Sequence, residues 1–167
     1  MTELKKYPDP ILRKKSEEVR ELTTEIKTVI REMLKIMIKN QGIGISAPQI
    51  GILKRIIAIN TKSGPEVFIN PKIRKISKEA EITEEGCLSF PGLWLKIKRA
   101  KEVEIEAINE AGEKIQNQAE GILSRAFQHE IDHLNGILFI DRVSFWQRLK
   151  IRRQLNIKRQ FNKTKNV

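Results

Sequence analysis

The chain has only two histidines, and they stand four residues apart in "HEIDH", residues 129 to 133. On a helix, positions i and i+4 share a face, so His129 and His133 can converge on one metal ion. Glu130 lies roughly 100° around from His129, close enough to reach a bound water without being a ligand. Around them, Leu123, Phe127, Ile131 and Leu134 form one apolar face, and Ile122 and Ala126 are expected to lie beneath the histidines. Imidazoles and a carboxylate on an interior helix are costly unless coordinated or paired. The plainer alternative is two surface histidines that happen to share this spacing.

Catalytic sites of this kind use three protein ligands and keep a place for water. No histidine follows His133, nothing acidic follows Asp141, and Asp141 itself is too near for the usual arrangement. The third ligand is therefore expected upstream, and the soft candidate is Cys87, the single cysteine. Its setting, "EEGCLSFPG", has Gly86 before it and Pro91-Gly92 after it, which marks a sharply turned, exposed backbone. A lone cysteine is commonly a small buried hydrophobe. Beside two otherwise unpartnered imidazoles it reads as a ligand, held as the thiolate.

These residues need elements to hold them. Apolar residues at helical intervals from Thr24 to Lys39 predict a helix capped by Thr23 or Thr24. The glycine-rich "GIGISAPQIG", residues 42 to 51, follows as a turn into a strand near 53–60. "EVFINPKI" reads as a second short strand, 72–85 as strand and loop, and "VEIEAINEAGEKIQ" as a hairpin. A second helix is expected over about 119–134 and a third, basic one over about 144–160. The opening "KKYPDPILRKKSEEV" reads as irregular or edge-like. The expected fold is α+β, with mixed or antiparallel sheets packed around the HEIDH helix, an N-terminal helix and a basic C-terminal helix. One domain over 1–147 and a basic tail over 148–167 are expected.

Charge is unevenly placed. Nine of the 32 Lys and Arg lie in residues 142–167, which hold no acid, so the first 141 residues carry 23 bases against 21 acids. A single cysteine excludes an internal disulfide. No apolar run approaches the roughly 20 residues that cross a bilayer, and the start lacks a secretory core, so no membrane role and a cytoplasmic location are expected.

In order and separation, "GIGISAPQ" (42–49), "EGCLS" (85–89) and "QHEIDHL" (128–134) resemble the three motifs of the bacterial peptide deformylases. With the opening residues, the likeness covers about residues 5–141. Ser46 is a departure, since alanine is more usual there. The resemblance implies removal of the N-formyl group from the formylmethionine of nascent chains. By position it implies Cys87, His129 and His133 as metal ligands and Glu130 as general acid/base. It also implies Gln49 and the Leu88 backbone N–H as oxyanion donors, and Ile43 and Gly44 as main-chain contacts for a substrate lying as an added strand. The donor set suits Fe²⁺, Zn²⁺, Ni²⁺ or Co²⁺, and the resemblance points to Fe²⁺ as the working ion.

The chemistry agrees. A metal lowers the pKa of its water from 15.7 to roughly 7, Glu130 can take that proton and deliver it to the leaving amine, and Gln49 can donate to the oxyanion while uncharged. Other readings fit less well. A dinucleotide-binding G-x-G-x-x-A turn must follow a strand and open a helix, whereas here a helix precedes and a strand follows. A general zinc endopeptidase lacks its downstream ligand. A nucleic-acid-binding module would use the tail, whose plainer reading is a solvated helix face; a joint reading docks the tail on ribosomal RNA. Arg99 is expected either to order the segment after Cys87 or pair with a carboxylate, or to meet the substrate. Trp94 and Leu93 are expected at the mouth of a groove or in an ordinary apolar contact, and Arg125 beside the groove or in solvent.

Overall fold

The fold was analysed in a computed structural model, which describes residues 3–151, 153 and 155. The first helix, α1 (Thr24–Lys39), starts where Thr23 Oγ1 accepts the Ile26 N–H. Seven strands follow: β1 (Gly44–Ser46), β2 (Ile56–Thr61), β3 (Gly64–Ile76), β4 (Ala80–Gly86), β5 (Trp94–Ala100), β6 (Glu102–Ile108) and β7 (Lys114–Glu120). The second helix, α2 (Gly121–Leu134), carries the histidines. All strand pairings among the described residues are antiparallel, in a five-stranded sheet ordered β1-β2-β3-β6-β7 and a β4-β5 hairpin.

The run Ile56-Ile57-Ala58-Ile59 is apolar throughout because β2 is buried on both faces. Ile56 and Ala58 meet Ile30, Met33 and Met37 of α1, while Ile57 and Ile59 meet Phe127, Ile131 and Leu134 of α2. The five-stranded sheet is thus packed between the two helices. A third cluster joins Leu12, Phe90, Ile97 and Phe139. It also holds Ile151, which lies beyond the expected boundary at 147.

Several expectations change in detail. The second short strand is a 13-residue β3 whose register with β6 shifts twice. At the first shift Asn70 adopts φ +52, and its side-chain amide bonds both main-chain groups of Val19 at 2.8 Å. Strand β5 was not expected at all. Helix α2 begins at Gly121, not near 119, because Ala119 and Glu120 still pair with Val103 and Glu102. Ile122 is half exposed at a groove mouth, not beneath the histidines. The C-terminal segment is helical at 145–151, 153 and 155. The rest of the expected third helix and tail lies outside the described residues.

Candidate metal centre

Three stripes of α2 do three different things. Phe127, Ile131 and Leu134 face the sheet. Ser124, Gln128 and Asp132, spaced i, i+4, i+8, grip β5: the Ser124 hydroxyl donates to the Ala100 carbonyl at 2.9 Å. The Gln128 amide bonds both main-chain groups of Ala100. The third stripe, Arg125, His129 and His133, faces β4 and the turn after it. Arg125 lines the groove and pairs with Glu81 at 2.5 Å.

Cys87 sits just past the end of β4, in that turn. Its sulfur is 3.3 Å from His133 Nε2, and the ligand atoms of Cys87, His129 and His133 all lie within 4.8 Å of one another. Both histidines and Glu130 are buried. His129 donates from Nδ1 to Glu85 Oε2 at 3.1 Å, which orients the ring with Nε2 towards Cys87. Burial and the positive His129 and Arg99 hold His133 well below its usual value, as a neutral imidazole. Burial disfavours charge on His129 too, but Cys87 and Glu85 outweigh it and hold this ring well above its usual value. The donor set fits a divalent ion, which would displace the His129 Nε2 proton and take an electron pair from each of the sulfur and the two rings.

Glu85 is itself held by a chain of buried charges. Arg99 grips it with Nε at 2.9 Å and a second nitrogen at 3.1 Å, and its third nitrogen reaches Asp132 at 2.6 Å. Asp132 also takes both a 2.9 Å bond and a shorter second one from Arg142. The pairing holds the Glu85 carboxyl down to about 2 although burial works the other way. Arg99 thus meets a carboxylate as expected, while Glu85, Asp132 and Arg142 were missed. The available signal was the charge of Glu85 and Asp132 inside the two motifs, but nothing in the sequence shows which of Glu84 and Glu85 turns inward.

Glu130 lies across from β1. A Cβ on Gly44 would come within 2.8 Å of its carboxylate, so the glycine makes room for it. Burial raises the Glu130 carboxyl to about 7, with the His129 charge pulling against that rise. Its Oε2 is buried without a partner among the described residues, as is His133 Nδ1. Gln49 places its amide between the first two motifs: Oε1 accepts from Ser46, and Nε2 stands 3.2 Å from Ser89 Oγ and 3.7 Å from Cys87 Sγ. The opening residues stitch the two loops together, since the Lys5 N–H bonds the Gln49 carbonyl and the Tyr7 N–H bonds that of Ser89.

A groove of about 560 Å³ leads to these groups, lined by Ile43, Gly44, Leu88, Leu93, Trp94 and Ile122 among others. Strand β1 forms its open edge. Because Asn60 N–H bonds the Ile43 carbonyl at 2.8 Å, antiparallel alternation turns the N–H and C=O of Gly44 away from β2. Ile43 therefore has its carbonyl already engaged and presents a half-exposed side chain. Leu88 N–H has no intramolecular acceptor among the described residues.

The family model for polypeptide deformylase matches residues 1–149. The chain belongs to the polypeptide deformylase family. It is similar to a peptide deformylase of Thermotoga maritima, 41% identical over 152 residues that make up 91% of this chain and 93% of that one. One from Halothermothrix orenii is 46% identical over 143 residues, 84% and 92% of the two chains. A solved Plasmodium falciparum peptide deformylase in complex with an inhibitor superposes with a TM-score of 0.84 at 47% identity, covering 92% of this chain and 97% of that one. Like the deformylases it matches, the chain is a metal-dependent hydrolase with an α+β fold. No helix among the described residues is long and apolar enough to cross a membrane.

Proposed function

We propose that the chain removes the N-formyl group from the formylmethionine of nascent polypeptides, with Cys87, His129 and His133 holding a divalent ion, Fe²⁺ in the working enzyme. The observation that carries this is the meeting of a thiol, two imidazoles, a buried carboxyl and a side-chain amide, with Cys87, His129 and Glu130 lining one groove. When bound, such an ion makes water acidic enough to attack an amide near neutral pH. The chain's own groups do the rest. Glu130, lifted by burial towards neutrality, accepts the proton of the attacking water and passes it to the leaving amine. Gln49 Nε2 and the Leu88 N–H donate to the carbonyl oxygen as charge develops on it. Gly44 pairs main chain to main chain with the substrate, as a strand added to the edge of β1.

Formate release from N-formylmethionyl peptides by freshly loaded protein tests the reading. Activity lost in Cys87→Ser together with bound metal is expected, and cleavage of internal peptide bonds with no formate release would overturn the assignment.

The basic end is proposed to dock on ribosomal RNA near the emerging chain, on the strength of nine bases in the last 26 residues with no acid among them. A chain ending at 155 keeps buried Ile151 and drops four of those bases. It should keep catalysis and lose salt-sensitive ribosome affinity; full affinity would sink the docking role.

A further inference from the structure

Gln49 can serve as an oxyanion donor only with its amide facing one way. The two ends of a side-chain amide have nearly the same shape and opposite polarity. With Nε2 towards the sulfur it offers N–H, whereas with Oε1 there it would repel the developing charge. One contact that sets the direction comes from main chain: the Ser46 N–H donates to Gln49 Oε1 at 2.9 Å. Any residue but proline at 46 could make that bond. The second contact belongs to the side chain. Ser46 Oγ donates to the same Oε1 at 3.0 Å.

Ser46 is 0% exposed and Gln49 1% exposed, so no solvent water stands ready to replace that hydroxyl. Two donors converging on Oε1 make a flipped amide unfavourable, because its NH₂ would face an N–H and would compete for the hydroxyl. On the other side, Nε2 lies 3.2 Å from Ser89 Oγ and 3.7 Å from Cys87 Sγ. One hydrogen is thus committed to Ser89 while the other points to the metal-ligand side.

We infer that the Ser46 hydroxyl is a positioning residue for the hydrolysis, holding the Gln49 amide in the orientation that presents N–H to the reacting carbonyl. This rests on the reading of Gln49 as an oxyanion donor. Ser46 acts through Gln49, so its effect belongs to kcat more than to substrate capture.

The test is a double-mutant cycle on metal-loaded protein with an N-formylmethionyl peptide: wild type, Ser46→Ala, Gln49→Ala and the double variant. Ser46→Ala is expected to lower kcat about 3- to 10-fold, the worth of one hydrogen bond, with KM within about twofold. In the Gln49→Ala background the same change should cost nothing further. In zinc-loaded protein the Gln49 side-chain amide resonances should shift in Ser46→Ala, an effect that a purely structural role elsewhere would not produce. Should Ser46→Ala fail to fold, Ser46→Cys, similar in shape and a weaker donor, takes its place with the same expectation.

An unchanged kcat in Ser46→Ala beside a roughly 100-fold loss in Gln49→Ala would overturn the role of Ser46 and leave the oxyanion reading standing. Equal costs of Ser46→Ala in both backgrounds would overturn it too. An unchanged kcat in Gln49→Ala would remove the oxyanion reading and this inference with it.

Discussion

Helix α2 carries two buried polar clusters built on opposite rules. Along its Asp132 side, charges alternate in an unbroken chain from Arg142 through Asp132, Arg99 and Glu85 to His129. On its Glu130 side, Glu130 Oε2 and His133 Nδ1 have no partner among the described residues. Partnerless buried polar atoms are uncommon and costly, so the contrast separates two jobs. The saturated chain fixes geometry, since each member is held at both ends. Glu130, which lines the groove, keeps bonding capacity unspent for what enters it. Mutating the first should cost stability or metal, and mutating Glu130 should cost rate alone.

The sharpest break of that division is Glu130→Gln. It should lower kcat by about 10²–10⁴-fold while leaving folding and bound metal intact, checked by denaturation and elemental analysis alongside steady-state rates. A large loss of stability would mean that Glu130 belongs with the saturated cluster. Arg99→Leu is the converse. It strands Glu85 and Asp132, both buried, and should destabilise the fold by about 3–5 kcal/mol in chemical denaturation; a stable variant would show that the chain of charges is not needed to hold the hairpin. Glu85→Gln acts between the two. By loosening the grip on His129 it should speed metal loss to a chelator, with affinity down about 10- to 100-fold.

The smallest effect lies where the tail meets the body. Asp141 was set aside as a ligand from its position, and in the fold it pairs with Arg13 and stands 3.6 Å from Arg148. Burial would raise its carboxyl, but Arg13 and the Leu138 N–H hold it below its ordinary value. A carboxyl lowered by folding adds stability above its unfolded pKa, and that contribution fades as pH falls through the folded value. The pair is part-exposed and screened, so Arg13→Gln should cost no more than about 1 kcal/mol at neutral pH. The gap from wild type should close on acidification below about pH 4; a gap that persists there would assign the loss to packing.

What could be read in advance follows physical range. The periodicity of 24–39 and the alternation of 103–116 are local, and both elements formed as expected. Strand β5 escaped because its inward positions are Leu95, Ile97 and Arg99, and an arginine breaks the apolar alternation that marks a strand. Arg99 is an interior residue only because Glu85 and Asp132 meet it there, and neither pairing is visible from neighbouring residues. Ile122 misled for a related reason. It lies on the histidine side of α2, and that side faces a groove where a core was expected.

The one-dimensional chain determined the chemistry on offer: a single thiol, two imidazoles one helical turn apart and a carboxyl between them. Helix geometry alone settles that spacing, because i and i+4 sit on one face whatever surrounds them. Only the tertiary structure decided that Cys87, 46 residues before His133, lies 3.3 Å from it, that Glu130 loses water, and that the Gln49 amide reaches Ser89, 40 residues on. Those are contacts between segments far apart in the chain. They exist because two helices and a sheet bury apolar faces that no segment could bury alone.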